Sequence, residues 1–195
     1  CINFSPKKQF KLTSGKKSPV YCDCRRIISF PEEREKLIDF GISKLKEKPK
    51  FKKISNIAGG ESAGIPFAAF IAQKLNLPMT YIRKEKKKFG KNSQIEGLLN
   101  QKDNVLLAED LMTDGGSKLK FLDAIEKLGA DVSGIFVIFN YGIIKDYYLF
   151  KKKKIDVISL TNWSHVLNVA SRKKILKNDE VKIVESFLEK MKVKS

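Results

Sequence analysis

Histidine, cysteine and arginine are scarce in this chain, and each scarcity removes a class of chemistry. The single imidazole, His165, excludes multi-histidine metal sites and any scheme that needs a second imidazole. Placed near a turn, it reads as a structural or surface residue. Three cysteines, Cys1, Cys22 and Cys24, are too few for a disulfide framework, and Cys-x-Cys without a second ligand pair is poor zinc spacing. A reducing cytoplasm is the expected location. No run approaches the ~20 apolar residues that span a bilayer, so no membrane association is expected. There is neither an initiator Met nor a charged-then-apolar leader, the pattern expected where a native N-terminal segment precedes residue 1.

Positive charge is abundant: the formal net charge is +17, from 39 Lys and Arg against 22 Asp and Glu. Phosphate neutralisation by a basic surface is one reading of that excess. However, arginine occurs only at 25, 26, 34, 83 and 172, whereas base-edge and bidentate phosphate recognition favours Arg over Lys. Runs such as Lys86-Lys87-Lys88 and Lys151 to Lys154 sit among Ile, Asn and Phe, as A+T-rich coding would produce. A solvated lysine surface is therefore the expectation, and nucleic acid is not expected as a partner. The 195 residues, 42% hydrophobic, suffice for one sizeable core and exclude a disordered tail.

The pattern along the chain divides near residue 50. Between Phe10 and Cys24, β-formers flank the Gly/Ser/Pro cluster at 14–19, which predicts two short strands around a turn. A helix starts at Pro31-Glu32-Glu33, with Leu37, Ile38, Ile42 and Leu45 at helical spacing. Residues 1–50 thus read as a small β-containing hood lobe plus one helix, joined by the Lys/Pro-rich linker 46–53 to an α/β core over 51–195.

In that core, apolar strands at 54–58, 78–82, 105–109, 132–139 and 155–160 alternate with helices at 62–75 and 117–128, the second closed by Gly129. Further helices follow near 162–170 and 179–191. Repeated βα units predict a mainly parallel sheet flanked by helices on both faces, with ligands at the carboxyl ends of its strands.

The segment from Val105 to Ser117, VLLAEDLMTDGGS, carries the chemistry. An apolar strand ends in Glu109 and Asp110, and a Gly-rich turn then opens a helix. Such a turn aims backbone N–H groups and a helix N-terminus at one point, as a phosphate monoester requires. Carboxylates cannot serve that phosphate. They suit a diol, or a metal held by a diol, and phosphate plus diol together suggest ribose 5-phosphate. The alternative is an acidic pair beside a helix, with glycines that merely make a tight turn.

This segment resembles the 5-phosphoribosyl 1-pyrophosphate motif of type I phosphoribosyltransferases across thirteen consecutive positions. Residues 10–21, FKLTSGKKSPVY, are similar to the N-terminal signature of orotate phosphoribosyltransferases. Residues 58–66, AGGESAGIP, resemble that family's pyrophosphate-side loop. Residues 83–90, RKEKKKFG, resemble its mobile catalytic loop, which Ile95-Glu96-Gly97 closes.

The resemblance implies Mg²⁺-dependent transfer of phosphoribosyl from 5-phosphoribosyl 1-pyrophosphate to orotate, giving orotidine 5′-phosphate and pyrophosphate, by a homodimer with shared sites. It places Arg83, Lys84 and Lys87 on the pyrophosphate, with Lys87 reaching into the neighbouring subunit's site. Glu109 and Asp110 would hold the ribose hydroxyls, with Lys87, Asp110 and Glu109 forming the catalytic set. Leu111, Met112, Thr113, Asp114, Gly115, Gly116 and Ser117 would bind 5-phosphoribosyl 1-pyrophosphate, with Thr113 to Ser117 framing its 5-phosphate. Thr113, Tyr21 and Cys22 would border orotate, the last two through their backbone. Purine-specific relatives tend to carry an acid where Thr113 stands, so a pyrimidine acceptor is favoured.

No protein-held metal cluster is expected; the metal would arrive on the substrate. Thr13 and Ala63 stand where members of the family often carry Lys, Phe89 replaces a His, and Asn140 or Tyr141 replaces an Arg that some members use on the orotate carboxylate. How that carboxylate is neutralised stays open. The competing readings are a phosphoribosyltransferase for another nucleobase and an RNA-binding regulator that retains the fold.

Overall fold

The computed structural model describes residues 1–5, 8–11, 17–86, 94–113, 115–142 and 150–193. Its centre is a six-stranded sheet of β5 (Asn56–Gly60), β6 (Met79–Ile82), β7 (Ile95–Glu96), β8 (Asn104–Met112), β9 (Asp131–Asn140) and β10 (Asp156–Asn162), in the order β10-β9-β8-β5-β6-β7. All neighbours are parallel except β7, which runs antiparallel to β6 at the edge. The chain goes from β5 to β6 on one side, then crosses back to β8 on the other. The strand order therefore reverses between β5 and β8, and their carboxyl ends open the crevice where ligands of such sheets bind.

Alternation along the strands builds two apolar layers. Leu106, Ala108, Phe136 and Ile138 join one buried cluster, while Val105, Leu107, Ile135 and Val137 join the other. The first layer is covered by α1 (Pro31–Lys46) through Ile38, Ile42 and Leu45 and by α2 (Gly64–Leu75) through Phe67 and Ile71. The second is covered by α3 (Gly116–Lys127) through Phe121, Leu122 and Ile125. A sheet buried on both faces needs near-continuous apolar strands, as β8 and β9 have.

The helices end where local chemistry dictates. Pro31 opens α1, and Glu32 and Glu33 in its first turn complement the positive end of the helix dipole. Asn76 stops α2 in the left-handed region at φ 53°. After α3, Gly129 takes φ +87° and its N–H returns to the Glu126 carbonyl at 2.9 Å, as its place in the sequence led one to expect. Two more helices, α4 (Trp163–Arg172) and α5 (Asn178–Val193), follow β10. Asn162 caps α4, its side-chain oxygen accepting from the His165 N–H at 3.0 Å. His165 is exposed on that helix.

The N-terminal part differs in detail from the sequence expectation. Four short strands form two antiparallel pairs, β1 (Ile2–Phe4) with β4 (Val20–Cys22) and β2 (Phe10–Lys11) with β3 (Lys17–Ser18). β1 was not expected, because three residues carry no periodicity of their own.

The stretch 46–53 likewise holds a 3₁₀ turn at Pro49–Lys53, with Phe51 buried. Phe51 sits over Gly134 of β9, where a Cβ would lie 2.8 Å from its ring. That ring fastens the stretch to the sheet. Phe51→Ala is expected to destabilise the fold by ~3–5 kcal/mol. A urea midpoint that moves by less than the equivalent of ~1 kcal/mol would show that the stretch is not anchored there. No described helix is long and apolar enough to cross a membrane.

Candidate active site

The pairing of β5 with β8 places Gly59 beside Ala108, and hence the end of β5 beside Glu109. A cleft of about 480 Å³ opens there, lined by Arg25, Glu61, Lys84, Glu109, Asp110 and Ser117 among others. It lies at the predicted crevice. Of the residues singled out in the sequence, the structure brings together Lys84, Glu109, Asp110 and Ser117. Glu109 and Asp110 are both buried, 4% and 7% exposed.

Glu109 is held from three sides. Its Oε2 lies 2.8 Å from Lys118 Nζ, and the two side chains are only 6% and 10% exposed. Gly60 and Gly64 approach from the β5–α2 side. A Cβ at Gly60 would collide with Glu109 Oε1 and lie 2.8 Å from Phe121 Cδ2, and one at Gly64 would lie 2.6 Å from the Ala108 carbonyl. The glycines of this loop therefore make room for a carboxylate. Burial pushes the Glu109 carboxyl up to about 7, against the opposing pull of Lys118. Asp110 is also raised by burial, opposed by the Leu111 N–H, Lys118 and Arg25.

Lys118 was not read from the sequence as a site residue. A lysine in a helix is ordinarily taken as solvent-facing, yet 118 shares one face of α3 with Phe121, Leu122 and Ile125 at spacings of three, four and seven. That register was the available signal. Its ammonium also lies 3.4 Å from Ser117 Oγ, which links the carboxylate pair to the turn that opens α3. In that turn Gly115 takes φ +79°, a region L side chains seldom adopt, and accepts from the Lys118 and Leu119 N–H groups at 2.8 and 3.2 Å. The first N–H groups of a helix have no intrahelical acceptor, so such a turn suits an anion.

The remaining expected residues fall as follows. Leu111 is half-buried and Thr113 exposed, whereas the Met112 side chain belongs to the core. Arg83 does not line the cleft; its Nη1 lies 3.7 Å from Glu96. The Lys84 N–H donates to Glu61 Oε2 at 2.8 Å, which fixes the backbone at the cleft's edge. Tyr21 is half-buried, and Cys22 is buried with its Sγ 3.4 Å from that of Cys24. Tyr21 and Cys22 do not line the cleft. Lys87 and Asp114 lie outside the described residues, as do Thr13 and Phe89. Asn140 accepts from the Gly142 N–H at 2.8 Å, and Tyr141 packs edge-on against Phe139 and Trp163.

Arg25 was also missed. It follows β4 in a 3₁₀ turn (Cys24–Ser29), and only the fold brings that turn to the end of β8.

Residues 31–170 match the model of the phosphoribosyl transferase domain. The chain is 44% identical over 188 residues to an orotate phosphoribosyltransferase of Rhizobium rhizogenes (strain K84), covering 96% of this chain and 81% of that one. It belongs to the orotate phosphoribosyltransferase family. Among solved structures, the orotate phosphoribosyltransferase from Aeropyrum pernix superposes with a TM-score of 0.73 at 27% identity, covering 84% of this chain and 90% of that one. Leishmania donovani UMP synthase superposes with a TM-score of 0.81 at 25% identity, covering 97% of this chain and 40% of that longer one. The mainly parallel six-stranded sheet with helices on both faces, expected from the βα alternation, is the type I phosphoribosyltransferase fold that the resemblance implied.

For an orotate phosphoribosyltransferase the cleft has a suitable charge pattern. Buried carboxylates face hydroxyl donors well, and the mouth carries the cations Lys84 and Arg25. Among the described residues no three His, Cys, Asp or Glu side chains gather as a metal cage. The donor set, two adjacent carboxylates of which one is paired with lysine, fits a Mg²⁺ that binds mainly to phosphate oxygens.

Proposed function

We propose that the chain transfers the phosphoribosyl group of 5-phosphoribosyl 1-pyrophosphate to N1 of orotate, in pyrimidine nucleotide synthesis. The observation that carries the reading is the buried Glu109–Asp110 pair beside the anion-suited turn of α3, in a family member. The C1–O bond breaks with its electron pair going to the departing pyrophosphate, the N1 lone pair forms the C1–N1 bond, and the N1 proton passes to the pyrophosphate or to solvent. Positive charge develops on the ribose ring and negative charge on the leaving group. Electrostatic preorganisation is therefore the main requirement.

Each group then has a role in that charge separation. Glu109 and Asp110 accept hydrogen bonds from the ribose hydroxyls and offset the developing positive charge. Ser117 and the N-terminus of α3 bind the 5-phosphate, with backbone contributions from residues 113–116. Lys84 binds the pyrophosphate, as would Arg83, and Lys87 would reach it from the partner subunit of a homodimer. Thr113 and the Tyr21-Cys22 backbone border the base. A Mg²⁺ carried in on the substrate would supply charge compensation to the pyrophosphate, with Glu109 and Asp110 as the donors this chain offers it. A cytoplasmic location suits an enzyme of this pathway with three cysteines and no framework of disulfides.

The direct test is loss of orotate absorbance on mixing the protein with orotate, 5-phosphoribosyl 1-pyrophosphate and Mg²⁺. Turnover with adenine or uracil and none with orotate would overturn it in favour of another acceptor. Tight RNA binding with a steep salt slope and no turnover would favour the regulator. Light scattering tests the homodimer against the chain's 22.2 kDa. Asp110→Asn is expected to lower turnover at least ~10-fold, about 1.4 kcal/mol of barrier; unchanged rates would remove Asp110 from the ribose site.

A further inference from the structure

Orotate differs from uracil by one carboxylate, on ring carbon 6, so an enzyme that takes orotate in a partly dry cleft must offer that carboxylate a cation or strong donors. The two positions that would carry the family's arginine cannot supply charge here. Asn140 is 7% exposed with its oxygen already accepting from the Gly142 N–H, and Tyr141 is buried among aromatic rings.

Among the described residues three cations line the cleft: Arg25, Lys84 and Lys118. Lys118 is buried and committed to Glu109 at 2.8 Å. Lys84 lies two residues beyond β6, its N–H tied to Glu61, on the side that resembles the family's pyrophosphate loops.

Arg25 stands apart from both. It lies three residues after Cys22, on the hood side of the cleft, and its charge reaches the Asp110 carboxylate. Its side chain is 57% exposed yet held in place: Nε donates to Asp23 Oδ1 at 3.2 Å and Nη2 to the Tyr21 hydroxyl at 3.0 Å. A guanidinium has five N–H donors. These two contacts orient the fork and leave its other donors for a ligand, in the planar geometry that suits a carboxylate.

We propose that Arg25 is the residue that selects orotate, its guanidinium pairing with the 6-carboxylate while Asp23 and Tyr21 hold it in position. The inference rests on the orotate reading above. It assigns acceptor recognition to the hood turn, not to the position after β9, and it makes the choice between orotate and uracil depend on one side chain.

The test compares wild type, Arg25→Gln and Arg25→Lys, with orotate and uracil as acceptors and 5-phosphoribosyl 1-pyrophosphate as donor. For Arg25→Gln, kcat/KM for orotate is expected to fall ~100-fold, since two hydrogen bonds to a charged group are lost. Uracil turnover should change little and KM for 5-phosphoribosyl 1-pyrophosphate should stay within about twofold, so that discrimination between the acceptors collapses. Arg25→Lys keeps the charge without the fork and should recover part of the orotate activity, leaving uracil unchanged.

Orotate kcat/KM within about threefold of wild type in Arg25→Gln would overturn the proposal, and so would equal losses for both acceptors, which mark a merely structural role. Wild-type protein that turns over uracil or a purine but not orotate would strike the underlying reading instead, and the proposal with it.

Discussion

Gly60→Ala is expected to reduce turnover by ~100-fold or more, because an ångström of displacement at a catalytic group has that order of effect. The added methyl would collide with Glu109 Oε1 and with the Phe121 ring, whose Cδ2 is 2.8 Å away. Neither neighbour can yield easily. Phe121 is 2% exposed within the layer under α3, and Glu109 is tethered to Lys118 at 2.8 Å. Overpacking of such a site costs ~1–3 kcal/mol in stability. The larger consequence is that the carboxylate must turn away from the ribose position. Steady-state kinetics with 5-phosphoribosyl 1-pyrophosphate as the varied substrate should show both kcat and affinity impaired, with the circular dichroism spectrum retained. Wild-type kinetics would mean that the approach of β5 to Glu109 is immaterial to the reaction.

How far the sequence leads depends on whether a feature is local. Strand β8 was legible because an uninterrupted apolar run ends in two acids, and burial on both faces demands such a run. The helix after it was legible from Gly115-Gly116 at its start and Gly129 at its end. β1 and β7 were not, since strands of three and two residues exist only through their pairing with β4 and β6. Phe51 was hidden in a lysine-rich stretch that reads as solvated linker until Gly134 is found beneath it.

In the site, the same distinction holds. Glu109, Asp110 and Ser117 belong to one continuous segment and could be read together. Lys118 was signalled only by the helical register that puts it on the apolar face of α3, and Arg25 could not be assigned without the fold, since it comes from a turn more than eighty residues away in the chain. Charge placement is thus the least local property of the site, and it is where reading by motif stops short.

The Glu109–Lys118 pair makes Lys118→Met a sharp experiment. Removing the ammonium leaves a buried carboxylate without its partner, and breaking a buried pair from one side costs ~3–5 kcal/mol. The protein can limit that loss by protonating Glu109, so the effect must depend on pH. In wild type, burial already pushes this carboxyl from 4.5 up to about 7. A carboxyl whose folded value lies above its unfolded one binds more protons when folded, so stability falls as pH rises. The decline begins near 4.5, runs through about 7, and amounts to about 3 kcal/mol from this group.

Asp110, raised by burial as well, adds in the same direction. Without Lys118 the folded value of Glu109 moves higher still, and the decline should continue above pH 8. Urea denaturation of wild type and Lys118→Met at pH 5, 7 and 9 measures this: the curves should lie closest at pH 5 and diverge as pH rises. Parallel curves across that range would mean that Lys118 does not hold Glu109 ionised.

Substrate binding moves the same protonation equilibrium in the opposite direction. Ribose hydroxyls that donate to Glu109 favour its charged form, so 5-phosphoribosyl 1-pyrophosphate should release a fraction of a proton on binding at pH 7. Calorimetry in two buffers of different ionisation enthalpy should detect that release in wild type, and more of it in Lys118→Met, where the carboxyl starts more protonated.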